Sequence, residues 1–584
     1  MVGHRPLYFH ITDIGVLTTM SAENRNRFRA GLAFLITLSL AGCVLPQVPP
    51  TPETSLVETS VPVEVRLATE RGETACDNSF HRHTLSHETT APEWTVAGFD
   101  ANGSGIAAGD LDRDGWLDLV LGGYGQSNTI LWNDGNLSFE PQQLGEGLTR
   151  EVQLVDVDGD SLLDIATTRR GSGLAVWRNT GADKRAAMFE HVVLPGIDRP
   201  LYSMDWLDVD ADGDLDLGAA TYDAELKDLF GSEFLMNNSG GVYLFSQENG
   251  RFRLQQLTLQ AQGLATLFLD VTGDGKAELL VGNDFATPDF FFQQEADGWS
   301  TIEPFDVTTH STMSLSAGDI NNDGRFDLFA TDMKPAPDDQ DALAAWQPVM
   351  EAMMAAGMEE HDERQLMQNV LQVAADNDGG WANAADSDPL AATGWSWAGS
   401  FGDLDNDGWL DLYVVNGMIE ATLFAHLPDH ELVERNHAFR SDADGSLMPA
   451  PEWNLGDRAS GRGMVMADLD RDGDLDIAVN NLRSPAALFE NRLCGGVGLQ
   501  LDLRQETGGN SHAIGARVVV AADSNRWVRT VHVADSYLSG RAPRLHFGLG
   551  NQDQDVQVIV EWPDGEHTTV GGVAPGSLVT VIRE

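Results

Sequence analysis

Seven nine-residue segments each set oxygen-bearing side chains at positions 1, 3, 5 and 9. The first is Asp110, Asp112, Asp114 and Asp118, and the second Asp156, Asp158, Asp160 and Asp164. Next come Asp208, Asp210, Asp212 and Asp216, then Asp270, Thr272, Asp274 and Glu278. The fifth is Asp319, Asn321, Asp323 and Asp327, the sixth Asp403, Asp405, Asp407 and Asp411, and the seventh Asp468, Asp470, Asp472 and Asp476. All fit D-x-[DNT]-x-D-G-x-x-[DE], with Ser161 standing where the others have Gly. Oxygens at this spacing, joined by the main-chain carbonyl of position 7, converge on one point. Those carbonyls belong to Trp116, Leu162, Asp214, Lys276, Arg325, Trp409 and Asp474. Calcium takes six to eight oxygens at ~2.3–2.6 Å, so up to seven calcium ions are expected. Magnesium, with its tight octahedron and retained waters, suits an all-protein cage less well.

An EF-hand would need a bidentate Glu at position 12. That position holds Leu121, Thr167, Ala219, Val281, Ala330, Val414 and Val479, none of which can ligate this way. Asp residues in tight hairpins also form Asx-turns without any metal. Turn chemistry alone does not call for four oxygens at fixed spacing in seven copies.

The loops need strands to hold them. Each is preceded by an alternating segment such as Ile106-Ala107-Ala108-Gly109 and followed by one such as Leu-Asp-Leu-Val. Each loop therefore reads as a hairpin connection. Loop starts are separated by 46, 52, 62, 49, 84 and 65 residues, the length of a four-stranded blade with insertions. Third strands follow at Thr129–Trp132 and Gly241–Phe245, and fourth strands near Phe139, Phe189, Phe252 and Trp299. The expected fold is all-β: a seven-bladed β-propeller over 94–493, with a small C-terminal β domain over 494–584. Trp94-Thr95-Val96 has the register of a fourth strand and is expected to complete the last blade. An insertion at about 335–376 places Leu343, Trp346, Met350, Met353 and Met354 near helical spacing. It is expected to be a helix packed over the ring; a pore cap or a Met-rich partner surface is the alternative.

Arg25, Arg27 and Arg29, the apolar run Gly31–Leu40 and Leu40-Ala41-Gly42-Cys43 make an export signal over 1–42, with Met20 as an alternative start. The last four residues resemble a bacterial lipobox, which implies a lipid on Cys43; a plain cleaved signal is the alternative. The Pro- and Thr-rich stretch that follows reads as a tether within 43–93. Cys76 and Cys494 flank the repeats, and because an exported compartment permits a disulfide they are expected to pair, with two free thiols as the alternative. The formal net charge of -54 excludes nucleic acid as a partner. His81, His83 and His87 read as a solvated linker, with a transition-metal site as the alternative.

The repeats resemble FG-GAP/VCBS repeats, the calcium-bearing blades of integrin α-chain propellers and many bacterial surface proteins. Ile514–Val518, Ser536-Tyr537-Leu538-Ser539, Leu545–Gly550 and Val560–Gly565 resemble the ASPIC/UnbV domain. Together they match the cartilage acidic protein-like family, which implies an extracellular calcium-binding interaction protein without established catalytic residues. The expected role is binding, adhesion or scaffolding at an outer-membrane or cell-surface location, periplasmic or extracellular. Its partner there is an unidentified protein or glycan, and membrane contact runs through the lipid anchor only. No catalytic residue and no enzyme activity are expected. A calcium-dependent carbohydrate-active enzyme is the alternative, and it would need a convergent acid/base or basic cluster at the ring centre.

Overall fold

The computed structural model describes residues 61–68, 76–285, 287–296, 298–355, 364–375, 380–385, 389–443 and 445–584. The export signal, Cys43 and most of the tether, along with the side chains of Met353 and Met354, lie outside the described residues.

Antiparallel sheets follow one another along the chain, each a meander whose first two strands are joined by one of the Asp-rich loops. The first is built from Ile106–Gly109, Asp118–Leu121, Asn128–Asn133 and Phe139–Leu144. In every sheet, residue 1 of the loop directly follows the first strand and residue 9 opens the second, as with Asp110 and Asp118. The first strands are apolar and buried because neighbouring sheets cover both their faces. Leu154 and Ile165 of the second sheet pack on Val120 and Ile130 of the first. This succession of face-packed meanders is a β-propeller.

The last sheet is completed by residues from the start of the domain. Gly461–Ala467, Asp476–Asn481 and Pro485–Arg492 are joined by Ser79–Glu88, which pairs with the last of these. Leu85 from this strand shares a core with Ile106, Leu119, Val465 and Leu488, so the first and last sheets are packed together. The expected closing strand at Trp94–Val96 is therefore displaced; Trp94 is 84% exposed. Phe80, Leu85 and His87 are buried in the true strand, which satisfies its pairing edge with polar residues between. The three histidines, expected in a solvated linker, lie instead in this paired strand: His81 faces Asp77 at 2.7 Å, His83 faces Glu490 at 2.6 Å, and buried His87 bonds Thr129 and Thr89. A disulfide joins Cys76 to Cys494, with Cα atoms 5.1 Å apart.

The C-terminal domain is two four-stranded sheets. Gly498–Gln505, Arg544–Gly548 and Leu578–Arg583 form one with Val63–Ala68, a segment expected to be tether. Arg517–Ala522, Asn525–Thr530, Val556–Glu561 and His567–Val573 form the other. Alternate residues Leu499, Leu501, Leu503, Val518, Val520, Val558 and Val560 fill the space between them. That core runs on into Met204, Trp206 and Leu217 of the third propeller sheet.

The helix Gln340–Ala355 lies within the insertion and buries Ala342, Trp346 and Val349. Trp346 stacks on Trp395 at 5.3 Å and its Nε1 donates to Glu434. Met350 instead faces outward, so the buried face is rotated from the Leu343–Met350 line expected. Trp395 and Trp397 are both core residues.

Candidate metal centres

The seven loops share one hydrogen-bond plan. One oxygen of residue 1 accepts the N–H of residue 6, at 2.7–3.1 Å from Gly115, Ser161, Gly213, Gly275, Gly324, Gly408 and Gly473. Residue 5 accepts the N–H of residue 7, which holds Trp116, Leu162, Asp214, Lys276, Arg325, Trp409 and Asp474 in place. Residue 9 accepts the N–H of residue 2 through one oxygen. Its other oxygen takes a backbone N–H from the third strand in six of the loops. Glu278, one methylene longer, takes the Thr272 hydroxyl instead, at 3.2 Å.

The sharp reversal needs two left-handed residues. Position 6 has positive φ in every loop, including Ser161 at 69°. Position 4 does too, and there the residues are Arg113, Gly159, Ala211, Gly273, Asn322, Asn406 and Arg471. No shared residue type announced position 4 in the sequence.

These bonds are Asx-turn bonds, yet they leave oxygens over. Ligand atoms of Asp110, Asp112 and Asp118 lie within 4.8 Å of one another, as do those of Asp156, Asp158 and Asp164. The same holds for Asp208, Asp210 and Asp216, for Asp270, Asp274 and Glu278, and for Asp403, Asp405 and Asp411. Buried Oδ1 atoms of Asp110, Asp112, Asp403 and Asp468 have no hydrogen-bond partner. A buried acceptor without a donor is costly, on the order of 1–3 kcal/mol and more when charged. A cation among these oxygens removes both the orphaning and the repulsion, so the residues fit a hard divalent ion. Positions 1, 3 and 9 meet in four of these five groups; in the other, that of the fourth loop, position 5 joins because Thr272 stands at position 3. Outer oxygens are neutralised from the side: Arg185 Nε lies 2.8 Å from Asp112, and Arg440 Nε 2.7 Å from Asp405.

The C-terminal domain rests on this loop face. Gly509 and Asn510 donate to Gly213 O at 2.7 and 2.9 Å, Gly496 to Asp405 O at 2.9 Å and Gly550 to Asn406 O at 2.7 Å. Ser511 donates to Asp156 and Gln500 to Asp468. None of these contacts was legible from the loops alone. Between loops three to five and the C-terminal domain lies a cleft of about 950 Å³, bordered by Asp208, Asp270, Lys276, Arg325, Arg517 and Trp562.

Burial, aided by neighbouring loop carboxylates, pushes Asp208 up to about 6, Asp216 and Asp327 to about 7 and Asp164 to about 8. Unfolded Asp titrates near ~3.9. The folded, cation-free protein thus holds protons that the unfolded chain has lost. That stabilisation is complete below about pH 4 and disappears as pH rises through these folded values. In EDTA the melting temperature is expected to fall between about pH 5 and 8, and saturating calcium to abolish the fall. Differential scanning fluorimetry across that range, with and without calcium, measures it. A flat EDTA profile would contradict the burial of these carboxylates.

Strand meanders joined by such loops define an FG-GAP-type propeller, and comparison with known families agrees. Residues 110–167, 156–219, 270–330 and 429–479 match the FG-GAP-like repeat, and residues 506–584 match the ASPIC and UnbV domain. The chain is an FG-GAP-repeat protein with a C-terminal ASPIC/UnbV domain. It is similar to cartilage acidic protein 1 of Homo sapiens, 29% identical over 190 residues, 31% of this chain and 27% of that protein. Cartilage acidic protein 1 of Xenopus tropicalis is 32% identical over 142 residues, 22% of this chain and 21% of that protein. The matched stretch thus spans about a quarter of these relatives' length. A crystal structure of BBS1N in complex with ARL6DN aligns over 71% of this chain and 97% of that one at 10% identity. Its TM-score of 0.39 is too low to bear on function. Among the described residues no helix is long and apolar enough to cross a membrane.

Proposed function

We propose that this chain is an exported, envelope-anchored β-propeller of seven blades that loads calcium in its loops and serves as a binding, adhesion or scaffold module. The observation that carries the reading is the set of orphaned, buried residue-1 oxygens, repeated at Asp110, Asp403 and Asp468. Cations there rigidify the hairpins on which the C-terminal domain sits. The -54 charge fits such a cation load. The ring centre is filled by Ser536–Ser539, which argues for binding rather than catalysis at that point. The ligand, a protein or glycan of the cell envelope, is expected at the cleft beside loop four, where Arg325, Arg517 and Lys276 meet the metal loops.

A glycan array run with calcium and with EDTA, beside a polysaccharide-degradation screen, tests this. Calcium-dependent retention without product release is the expected result. Release of products from any polymer would overturn the binding reading in favour of the enzyme.

A further inference from the structure

A second polar site lies where the C-terminal domain covers loops five to seven. A chamber of about 70 Å³ is lined by Arg529, His532, Arg541, Arg544 and His546, with Asp403 and Asp535 on its wall. Arg529 Nη2 and Arg544 Nη1 are donors without a hydrogen-bond partner, and His532 Nε2 also has none. His546 donates through Nε2 to Gly473 O at 3.1 Å, so its unpartnered Nδ1 is an acceptor and lends the chamber no donor. Arg529 is only 8% exposed. A buried donor left bare forfeits its hydration with nothing in return. The space exceeds the ~10–15 Å³ that one water needs. Donors so placed call for an occupant, and charge decides which kind fits.

Arg541 is neutralised by Asp535 at 2.7 Å and Arg544 by Asp502 at 3.1 Å. Arg529 differs: its Nη1 donates to its neighbour's carbonyl, Val528 O, at 2.9 Å, and no ion pair forms with any described carboxylate. The negative charges it feels are Asp403 and Asp319, residue 1 of loops six and five. Calcium in those loops would claim both carboxylates and leave a buried guanidinium without a counter-charge, a strongly unfavourable state. Water satisfies donors but supplies no charge.

We propose that the chamber holds a small inorganic anion of chloride size, gripped by Arg529 and Arg544, and taken up together with calcium in loops five and six. The anion stands on the orphaned donors; its coupling to calcium rests on the metal reading above.

Crystals of the full chain grown in calcium bromide test the first part. Anomalous scattering should place bromide within hydrogen-bond distance of Arg529 Nη2 and Arg544 Nη1. Water density there, with bromide seen only elsewhere, would overturn the proposal. Calcium titrations in chloride and in gluconate at equal ionic strength test the second. The weakest-filling sites should bind about fivefold or more tightly in chloride. Arg529→Gln should erase that difference; if R529Q does not fold, the wild-type bromide result decides alone. Equal affinities in the two salts overturn the coupling. No calcium binding in either salt overturns the metal reading, and bromide then still judges the anion.

Discussion

Stripping calcium with EDTA at neutral pH is expected to lower the melting temperature by about 10–20 °C. The size follows from mass action. A site filled at a hundredfold its Kd adds about 2.7 kcal/mol, and seven add roughly 19. An unfolding entropy of about 2.1 cal/mol/K per residue gives roughly 1 kcal/mol/K for about 500 folded residues. Calcium should restore the loss and magnesium should do so poorly, because magnesium resists shedding its waters into a cage of this shape. Scanning calorimetry with EDTA, then with each metal, gives the answer. An unchanged melting temperature would mean that the loops are metal-free Asx-turns.

The effect should reach beyond the loops. Residue 9 of each loop is the first residue of a central strand, and in six of the seven its carboxylate also takes the N–H of a third-strand residue such as Asn133 or Asn491. Loop, second strand and third strand are thus tied through one side chain. The C-terminal domain bonds directly to the carbonyls of Gly213, Asp405 and Asn406, all loop residues. Losing the cation would loosen blades and interface together.

What was legible in the sequence was what repeats. Oxygens at 1, 3, 5 and 9 announce the loops because convergence on an ion dictates residue type as well as spacing. Position 4 was hidden since αL backbone imposes no common side chain when the turn is held by residues 1 and 5; Arg113, Ala211 and Arg471 all accept it. The closing strand was missed because Ser79–Glu88 is mostly polar, its outer face being solvent, while apolar Trp94 looked like core. Val63–Ala68 escaped for the same reason: five of its six residues are exposed, and pairing with Leu578–Arg583 holds it. The helix turned a different face inward because Trp346 fits against Trp395, which selects Ala342 and Val349 as its neighbours. Long-range partners of this kind leave no local pattern.

Replacing Tyr537 with Ala is expected to cost about 3–5 kcal/mol, and Tyr537→Phe only about 1. Tyr537 sits at the tip of the hairpin Ala534–Gly540, which the C-terminal domain drives into the space enclosed by the first strands. There Gly540 pairs with Ala107 of the first sheet, and Val152 of the second donates to Leu538 O at 3.2 Å. Asp205 of the third accepts the Ala534 N–H at 3.2 Å, and Ser536 donates to Leu315 O of the fifth at 3.0 Å. The fit is close: a Cβ on Gly105 would lie 1.6 Å from Leu538 O, so only glycine is tolerated there. The Tyr537 ring lies 5.0 Å from Trp397, and its hydroxyl donates to Asn102 O at 3.1 Å beside the Tyr202 hydroxyl. Truncation to Ala removes that packing and leaves a void that the rigid ring cannot close; Phe keeps the packing and loses the bond. Because one hairpin touches so many sheets, the loss should appear as a shift of the whole unfolding transition in guanidinium at saturating calcium. Leu259→Ala, at a site 61% exposed, should leave that transition in place. A Y537A protein that unfolds with the wild type would show that the propeller centre does not depend on the domain that fills it.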